Sequence, residues 1–583
     1  MRRLPGILLL TVATLIVIVA LLVSGLRLVL PQLDAWRPQL LEKISTLTGT
    51  PVDASQITAS WQNFGPTLDV RDIQVGLKDG GKMAVKRVTL ALDVWQSLLH
   101  MRWQFRDLTF WQLQVHTNTP IQTNDGGESL KTDRISDLFL RQFDHFTLRD
   151  SHLSFLTISG QRAELAVPQL TWLNGRNRHR AEGQLSLSSL TGQHGVMQVR
   201  MDLRDEDGLL NKGRVWLQAD DIDVKPWLGR WMQDNIALKS ARFSLEGWMT
   251  IEKGDVASGD VWLKKGGASW QGDDEVHHLS VDNLTAHLSH DKQSWGFYIP
   301  DTRIAIDDKP WPSGALAMAW IPAQDVGGDD HQRSDELRIR ASNLTLSGLS
   351  GLQPFADKLA PSLGELWRTT QPSGKINLLA LDIPLQATEK TRFQAQWSDL
   401  AWKQWKLLPG AEHFSGSLNG SVEHGELRAR MTQALMPYTG VFRAPLEIAA
   451  GEATLSWVKN DKGFMLDGRD IDVQATGVRA RGGFRYLQPQ GDDPWLGILA
   501  GISTNDGGQA WRYFPENLMG KALVDYLSGA IKAGQARDAT LVYGGNPHLF
   551  PYPHNEGQFQ VYVPLKNATF AFQPDWPALT GLN

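Results

Sequence analysis

The stretch Val88–Val94, VTLALDV, alternates aliphatic residues with small or polar ones. Successive side chains of a β-strand point to opposite faces, so this period of two predicts a strand with one apolar face. The alternation recurs at Leu316–Trp320 and Phe559–Val563, and pairs such as Asn174-Gly175 and Asn419-Gly420 mark turns. At roughly 15–18 residues for each strand and turn, the chain would hold about 30 mostly antiparallel strands. The predicted fold class is mainly β.

Composition excludes several classes of protein. The chain has 583 residues, a net charge of -5 and no cysteine. This small negative charge argues against nucleic acid as a partner, because phosphate contacts need a basic excess. Without cysteine the chain has no disulfides, thiolate zinc sites or iron–sulfur clusters. We expect no cofactor.

Residues 1–30 are predicted to be a transmembrane anchor. No residue from Leu4 to Leu26 is charged, and about 20 apolar residues suffice for a helix to cross a bilayer. A cleaved signal peptide is the alternative, but its apolar region is usually about 7–15 residues, which is shorter than this run. The residues expected inside the membrane include Ile7, Leu10, Leu15, Val19 and Leu22.

Residues 31–50 are predicted to form an amphipathic helix at the membrane surface. Apolar residues recur there at steps of three and four, which is the spacing of one helix face. They are Leu33, Trp36, Leu40, Ile44 and Leu47, and Gly49 follows them. Pro38 fits only in a first turn, so the predicted helix starts near Asp34.

The body, residues 51–583, is predicted to repeat a larger unit made of a strand, a short helix and a strand that returns through glycine. The unit is found around residues 221–247, 343–381 and 502–544. This recurrence favours one repetitive domain over several unrelated domains.

A second pattern places Asp or Asn before an aliphatic residue near the start of a strand. We interpret these residues as turn or bulge positions, and therefore do not interpret the Asn-x-Thr sequons at Asn283 and Asn343 as glycosylation sites. The positions that share the pattern are Asp72, Asp107, Asp221, Asn283, Asn343 and Asp470.

Each alternating strand has one apolar face, and that face must be covered. The predicted helices are too few and too short to cover about 30 strands. Two solutions stay open. Sheets could cover one another in sandwiches or barrels, or a curled sheet could hold another molecule against its apolar inner face.

Residues that could carry catalysis are scarce. His277 and His278 follow a run of acids, and His287 and His290 are three apart, but positions three apart on a strand face opposite sides. A solvated polar edge is the better interpretation. No glycine-rich phosphate loop stands between a strand and a helix. The sequence predicts no catalytic, cofactor-binding or metal-binding residues, and we do not expect an enzyme.

Four segments resemble the AsmA-like family of Gram-negative envelope proteins, and the resemblance covers the whole chain. They are WQNFGPTLDV at Trp61–Val70, LALDVWQSLLHMRWQFRDLTF at Leu90–Phe110, SDLFLRQFDHFTLRDSHLSFL at Ser136–Leu156 and AWRYFPENLMGKALVDYLSGAI at Ala510–Ile531. The resemblance implies a single-pass inner-membrane protein with its bulk in the periplasm. It implies an elongated, curled, mostly antiparallel β-sheet around a hydrophobic groove.

The resemblance also implies a function, which is transport of phospholipid from the inner to the outer membrane in support of the outer-membrane permeability barrier. Family members are considerably longer than this chain, which stops just after a strand. We therefore expect an N-terminal portion, truncated at its C-terminus, with the contact to the outer membrane in the missing part.

The partners implied are phospholipid acyl chains, the inner membrane and envelope proteins. The predicted lining of the groove at its inner-membrane end is Leu68, Val70, Val88, Leu90, Leu92 and Val94. Ordinary core packing is the alternative for each of these residues. The alternative function is an envelope scaffold or tether with a sealed β core, which would bind proteins rather than lipid.

Overall fold

The chain is mostly β, with one long apolar helix at the N-terminus and one large, mainly antiparallel sheet that is not closed into a barrel. This confirms the predicted fold class. The computed structural model describes residues 4–48, 50–62, 65–76, 81–100, 104–120, 138–156, 162–187, 195–206, 208–225, 237–272, 275–291, 294–323, 335–354, 357, 361–406 and 408–583. The chain divides into two compact units. Unit 1 is Met1–Gln271 with His278–His290, and unit 2 is Gly272–His277 with Asp291–Asn583.

The helices of the described residues are short, apart from the first. The α-helices are α1 (Leu4–Val29), α2 (Arg37–Thr48), α3 (Val94–His100), α4 (Pro361–Thr370), α5 (Glu516–Met519) and α6 (Lys521–Ala530). The 3₁₀ segments are Leu30–Trp36, Leu346–Leu352, Thr388–Lys390, Gly507–Tyr513 and Pro547–Leu549, and Leu138–Gln142 is a π-helical turn.

Strands make up most of both units. The first thirteen are β1 (Val52–Asp53), β2 (Gln56–Gln62), β3 (Gly65–Gly76), β4 (Lys82–Leu92), β5 (Phe105–Pro120), β6 (His145–Leu156), β7 (Arg162–Asn174), β8 (Arg178–Leu187), β9 (Val196–Arg204), β10 (Lys212–Asp223), β11 (Leu238–Glu252), β12 (Asp255–Gln271) and β13 (Val276–Asp291). The next nine are β14 (Ser294–Ile299), β15 (Ile304–Ile306), β16 (Lys309–Pro310), β17 (Leu316–Ile321), β18 (Glu336–Thr345), β19 (Ser373–Pro384), β20 (Arg392–Trp402), β21 (Ala411–Ser421) and β22 (His424–Met436). The last eight are β23 (Leu446–Asn460), β24 (Gly463–Ala475), β25 (Val478–Pro489), β26 (Trp495–Thr504), β27 (Ile531–Gly545), β28 (Gln558–Tyr562), β29 (Leu565–Phe570) and β30 (Leu579–Leu582).

Strands that follow one another in sequence are mostly neighbours in the sheet. In unit 1, antiparallel pairs link β2 through β5 and then β6 through β12. In unit 2, they link β17 through β27. β5 and β6 instead run parallel, with Thr109 opposite Thr147. A parallel neighbour requires a connection of about a dozen residues or more, and the sequence between Pro120 and His145 is long enough to supply it.

The segment predicted to be one amphipathic helix has two parts. A 3₁₀ helix covers Leu30–Trp36, and α2 follows with Pro38 in its first turn. Asp34 does not begin the α-helix as predicted, since its carboxylate accepts the backbone N–H of Ile57 at 2.9 Å. This hydrogen bond ties the 3₁₀ segment to β2.

The Asp and Asn positions singled out in the sequence lie inside strands and not at strand starts. Five of the six have a left-handed backbone, with φ between 50° and 56°: Asp72, Asp221, Asn283, Asn343 and Asp470. The ladder register shifts at Asp221 and at Asp470, so these two are bulges, as interpreted. Asp107 has no positive φ.

A left-handed residue inside a strand changes which side chains face the core. Phe110 and Leu113 lie on either side of Gln112, whose φ is 50°, and both pack against one buried cluster. Residues three apart on a regular strand would face opposite sides. By the β5–β6 register, Gln112 lies beside Asp150, whose φ is 47°. Adjacent strands therefore bend at the same level, because such irregularities bend a strand and increase its twist.

Unit 1 contains a sealed apolar cluster on one face of β4–β7. Its most buried members are Val85, Leu108 and Val167, each 1% exposed. The π-helical turn Leu138–Gln142 covers this face: Phe139 lies 5.3 Å from Phe110 and 5.2 Å from Phe146 between ring centroids. Burial of each such side chain stabilises the fold by about 1.5–3 kcal/mol.

Two of the three predicted repeat segments contain a described helix between their strands. In the second, α4 stands between β18 and β19; in the third, α5 and α6 stand between β26 and β27. The predicted helix of the first segment falls on residues 226–236, outside the described residues. The division into repeated units stays a prediction.

Candidate functional site

The predicted membrane residues lie on α1, which includes Ile7, Leu10, Leu15, Val19 and Leu22. Within the described chain, one helix is long and apolar enough to cross a membrane, with a mean hydropathy of 2.8 in its most apolar window. None of that window is buried against the rest of the protein. Leu10 and Leu15 are 70% and 61% exposed, as expected of side chains that face lipid rather than a protein core.

Five of the six residues predicted to line a groove lie on the paired strands β3 and β4. Leu68 is opposite Leu90 and Val70 is opposite Val88, so these four side chains share one face. Val88 is buried in the sealed cluster of unit 1, and Leu90 and Leu92 pack against that cluster. At least Val88, Leu90 and Leu92 therefore take part in core packing at this end of the sheet. The lining role of the six residues stays a prediction.

Val94, the sixth residue, is the first residue of α3 rather than part of a strand. The strand ends because Asp93 caps this helix: its Oδ1 accepts the backbone N–H of Gln96 at 3.0 Å. An Asp followed three residues later by Gln has the spacing of a capping box. That signal overrides the period of two at this point.

A long apolar surface lies in unit 2, on one face of β14 and of the strands from β17 to β28. A first row runs directly across these strands, each residue opposite the next: Ile299, Leu316, Ala341, Leu379, Ala395, Leu418, Leu427, Leu455, Gly468, Phe484, Ile498, Tyr543 and Phe559. Every member is apolar, apart from the tyrosine hydroxyl, or is glycine. We call this set row A.

A parallel set, row B, lies two residues further along the same strands. It consists of Phe297, Met318, Ile339, Leu381, Phe393, Gly420, Gly425, Trp457, Leu466, Tyr486, Leu496 and Gly545, again in direct register. Residues two apart share a strand face. Rows A and B therefore form one apolar band without a charged side chain.

The apolar band is buried at Ile299, Ala341 and Tyr543, but its middle part is half-buried and not sealed. Leu427, Leu455 and Phe484 are all of intermediate exposure, in contrast to the 1% exposure of Leu108 in unit 1. Phe393, Trp457, Phe464 and Leu466, together with Val422 and Lys459, line an open hollow of about 630 Å³. Each Å² of apolar surface that stays in contact with solvent here costs a free energy of about 25 cal/mol relative to burial.

Two facing glycines shape this hollow. Gly420 and Gly425 are opposite each other between Phe393 and Trp457, whose rings reach over them and stack with centroids 6.2 Å apart. A Cβ at Gly425 would collide with the Trp457 ring. The missing side chains therefore allow two aromatic rings from strands three apart to meet.

The opposite face of the same strands is polar. The row between A and B includes Asn419, Glu426, Ser456, Asp467 and Arg485, one residue from each of five consecutive strands. Ion pairs join this face: Arg485 Nε lies 2.6 Å from Asp467 Oδ1, and Arg428 Nε lies 2.9 Å from Glu426 Oε1. Arg479, on the same side, lowers the pKa of Asp472 through a hydrogen bond.

Two of the histidines noted in the sequence lie beside carboxylates. His277 Nδ1 lies 2.9 Å from Asp307 Oδ2, and His287 Nδ1 lies 2.6 Å from Asp260 Oδ1. Within the described ranges, no group of three or more His, Cys, Asp or Glu residues could hold a metal ion. Unit 2 thus presents an amphipathic sheet, whose apolar band can bind another apolar molecule by burial alone.

Most residues of the apolar band were not predicted from the sequence. The signal was present: Leu427, Ala429 and Met431 alternate with Arg428 and Arg430, which is the period of a strand with one apolar and one charged face. What alternation cannot show is the cross-strand register, and the register is what turns separate strands into two unbroken rows.

The family model of the YhdP protein matches residues 1–583. The intermembrane phospholipid transporter YhdP of Escherichia coli (strain K12) is 75% identical over 583 residues, which are 100% of this chain and 46% of that relative. The chain thus spans about half the length of the curated relative it matches. No solved structure matches it significantly. The resemblance seen in the sequence is confirmed at this level: the chain belongs to the YhdP family.

Proposed function

We propose that this chain carries phospholipid between two membranes by holding acyl chains against the apolar band of rows A and B. The observation that carries the proposal is the half-buried, uncharged band itself, backed by a face of ion pairs. The 75% identical relative is named an intermembrane phospholipid transporter, which supports the same function for this portion of the family.

The energetics explain why such a band is useful. Exposing two acyl chains of about 16 carbons to water costs roughly 25 kcal/mol, at ~0.8 kcal/mol per CH₂. Contact with a half-buried apolar face removes much of this barrier, while the charged headgroup stays in water. Movement of this kind makes and breaks no covalent bond, so we propose a transporter that is not an enzyme and uses no cofactor.

The proposed location follows from α1. We propose that α1 anchors the chain in the inner membrane and that residues 51–583 lie in the periplasm. α1 supplies the apolar length that an anchor requires. The longer protein of this family would then reach the outer membrane through residues beyond those of this chain. Its partners are phospholipid, the two membranes and envelope proteins.

A scaffold or tether with a sealed core is the second candidate. The sealed cluster around Leu108 and Val167 favours it for the N-terminal part of unit 1, where side chains are buried by other side chains and leave no room for lipid. Leu68, Val70, Val88, Leu90, Leu92 and Val94 would then be packing residues and not lining.

Site-specific photo-crosslinking tests both candidates in the full-length protein. A photo-reactive amino acid at Leu427, in row A, is expected to capture phospholipid, and one at the next residue, Arg428, on the polar face, is not. Leu90 and Thr89 form a second matched pair at the inner-membrane end. Mass spectrometry of the extracted adducts identifies the lipid. Absence of lipid at Leu427 in a folded protein would refute the acyl-chain role and favour the scaffold.

A further inference from the structure

The short helix α3 presents two large apolar side chains to solvent. Trp95 and Leu99 are 61% and 76% exposed, and a spacing of four residues places them on the same helix face. Ser97 is on the other side, where its hydroxyl oxygen accepts the backbone N–H of Gln104, the residue before β5, at 2.9 Å. α3 is thus fixed to the sheet by one side and exposes an apolar side.

A chain of contacts connects α3 to the end of α1. The Arg27 guanidinium lies 6.0 Å from the ring centroid of Trp61, near the end of β2. The next residue, Gln62, pairs with Gly65, and a Cβ on Gly65 would collide with the Leu92 carbonyl oxygen just before α3. Adjacent strands are about 4.8 Å apart. The start of α3 is therefore about two strand spacings, or ~10 Å, from the strand that carries Trp61.

The direction of β2 shows which end of unit 1 is near the membrane. Arg27, at the end of α1, is beside Trp61, whereas Asp34, seven residues later, bonds to Ile57 four residues earlier in β2. β2 therefore runs antiparallel to the Leu30–Trp36 segment, and the C-terminal end of β2 lies next to the end of α1. Trp61, and with it α3, lies at the level of the last turn of α1.

We propose that α3 is a second membrane contact, in which Trp95 and Leu99 enter the interfacial layer of the bilayer that α1 crosses. Tryptophan is enriched at this layer because its ring is apolar and its N–H is polar. An amphipathic helix that lies in the interface binds by burying such a face. This contact rests on the anchor proposed for α1, and it would hold unit 1 at a fixed tilt against the bilayer.

The test uses the absence of native cysteine, which allows single labels in the full-length protein. Cysteine is placed singly at Trp95, Leu99, Leu15 and His116, labelled with bimane and reconstituted in vesicles that contain brominated phosphatidylcholine. His116 is the exposed distant control, eleven residues along β5 from its start, or about 37 Å. We expect at least about two-fold quenching at Trp95 and Leu99, as for a shallow interfacial helix, stronger quenching at Leu15 and none at His116.

Quenching at Leu15 without quenching at Trp95 and Leu99 would overturn the α3 contact and leave the anchor intact. No quenching at Leu15 would overturn the anchor itself, and the α3 contact with it. Because each label removes one of the two apolar residues, a further reporter keeps both. A label at Gln96 is expected to be quenched in the otherwise native helix and to lose that quenching when Trp95→Ser and Leu99→Ser are added.

Discussion

Asn343 lies inside β18 and has a φ of 56°, a backbone conformation that few residues other than glycine tolerate. Its side chain also donates a hydrogen bond from Nδ2 to the Ser313 carbonyl oxygen at 2.9 Å. One residue thus combines a left-handed backbone with a hydrogen bond that ties the strand to the neighbouring segment.

Replacing Asn343 separates the backbone effect from the hydrogen bond. Asn343→Gly keeps the left-handed conformation and loses the hydrogen bond, at an expected cost of about 1 kcal/mol. Asn343→Val is expected to cost about 1–2 kcal/mol more, because its side chain is forced into the left-handed backbone region. Hydrogen exchange of the β17–β18 segment is expected to rise more for the valine variant. Equal exchange in both would show that the left-handed backbone at Asn343 is not required.

The Asp144–His145 pair gives a pH dependence at the start of β6. Hydrogen bonding to Asp144 raises the pKa of His145 from 6.5, although burial lowers it. Burial is the largest influence on the pKa of Asp144 and raises it, but the hydrogen bonds from His145 and from the Phe105 N–H, together with the charge of His145, outweigh burial, and the pKa falls below 3.8. Asp144 Oδ1 also accepts the N–H of Phe105 at 3.0 Å, which joins β6 to β5.

The stabilisation from His145 is full below pH 6.5 and is lost as pH rises through its raised pKa, and that from Asp144 is lost as pH falls below 3.8. Protection of the Phe105 amide, corrected for intrinsic exchange, is therefore expected to decline above neutral pH by on the order of 1 kcal/mol. His145→Gln should remove this decline. A decline of the same size in that variant would assign the pH effect to another group.

At the scale of elements, the sequence predicts strands well because alternation is local. It does not show that β5 and β6 bend at adjacent positions, because Gln112 and Asp150 lie side by side only in the folded β5–β6 pair. It also missed the end of β4, where the cap at Asp93 starts α3. Rows A and B depend on register between strands, which no single strand encodes.

Neighbouring residues of β25 test whether the two faces of the sheet differ in role. Phe484 belongs to row A, and Arg485 pairs with Asp467 on the polar face. Phe484→Gln is expected to lower the phospholipid that co-purifies with the protein by about two-fold or more, because a polar group enters the apolar band. Arg485→Gln should leave the amount of co-purified phospholipid unchanged and cost at most about 1 kcal/mol of stability, as for exposed ion pairs. Equal lipid loss in both variants would contradict the assignment of faces.

Considered as a whole molecule, the chain packs its two units differently. Unit 1 has fully buried side chains such as Leu108 and Val85, whereas the middle of the apolar band of unit 2, around Leu427 and Leu455, is half-buried. A protein selected only for stability would gain from sealing that band. Its retention fits a surface that is covered by a changing partner such as lipid.

A block of the band should therefore stop transport without unfolding the protein. In the full-length protein, the double variant Leu427→Trp with Leu455→Trp adds bulk to two adjacent members of row A. The proposed transport predicts that cells with this variant lose most of their outer-membrane barrier, measured by uptake of a large antibiotic. Arg428→Trp with Thr454→Trp adds the same bulk to the polar face and should retain the barrier. Equal barriers in the two strains at equal protein levels would argue against a path along row A.

The antiparallel order of the strands constrains how such a protein changes in length. Loss of one strand would reverse the direction of every later strand and move the turns between those strands to the opposite edge of the sheet. Strands are therefore expected to be gained and lost in pairs. Each pair adds or removes about 9.6 Å of sheet and roughly 30 residues. The parallel contact of β5 with β6 is an exception to this order, and a parallel pair requires a longer connection than a hairpin turn. Relatives adapted to envelopes of different width should therefore differ by whole hairpins.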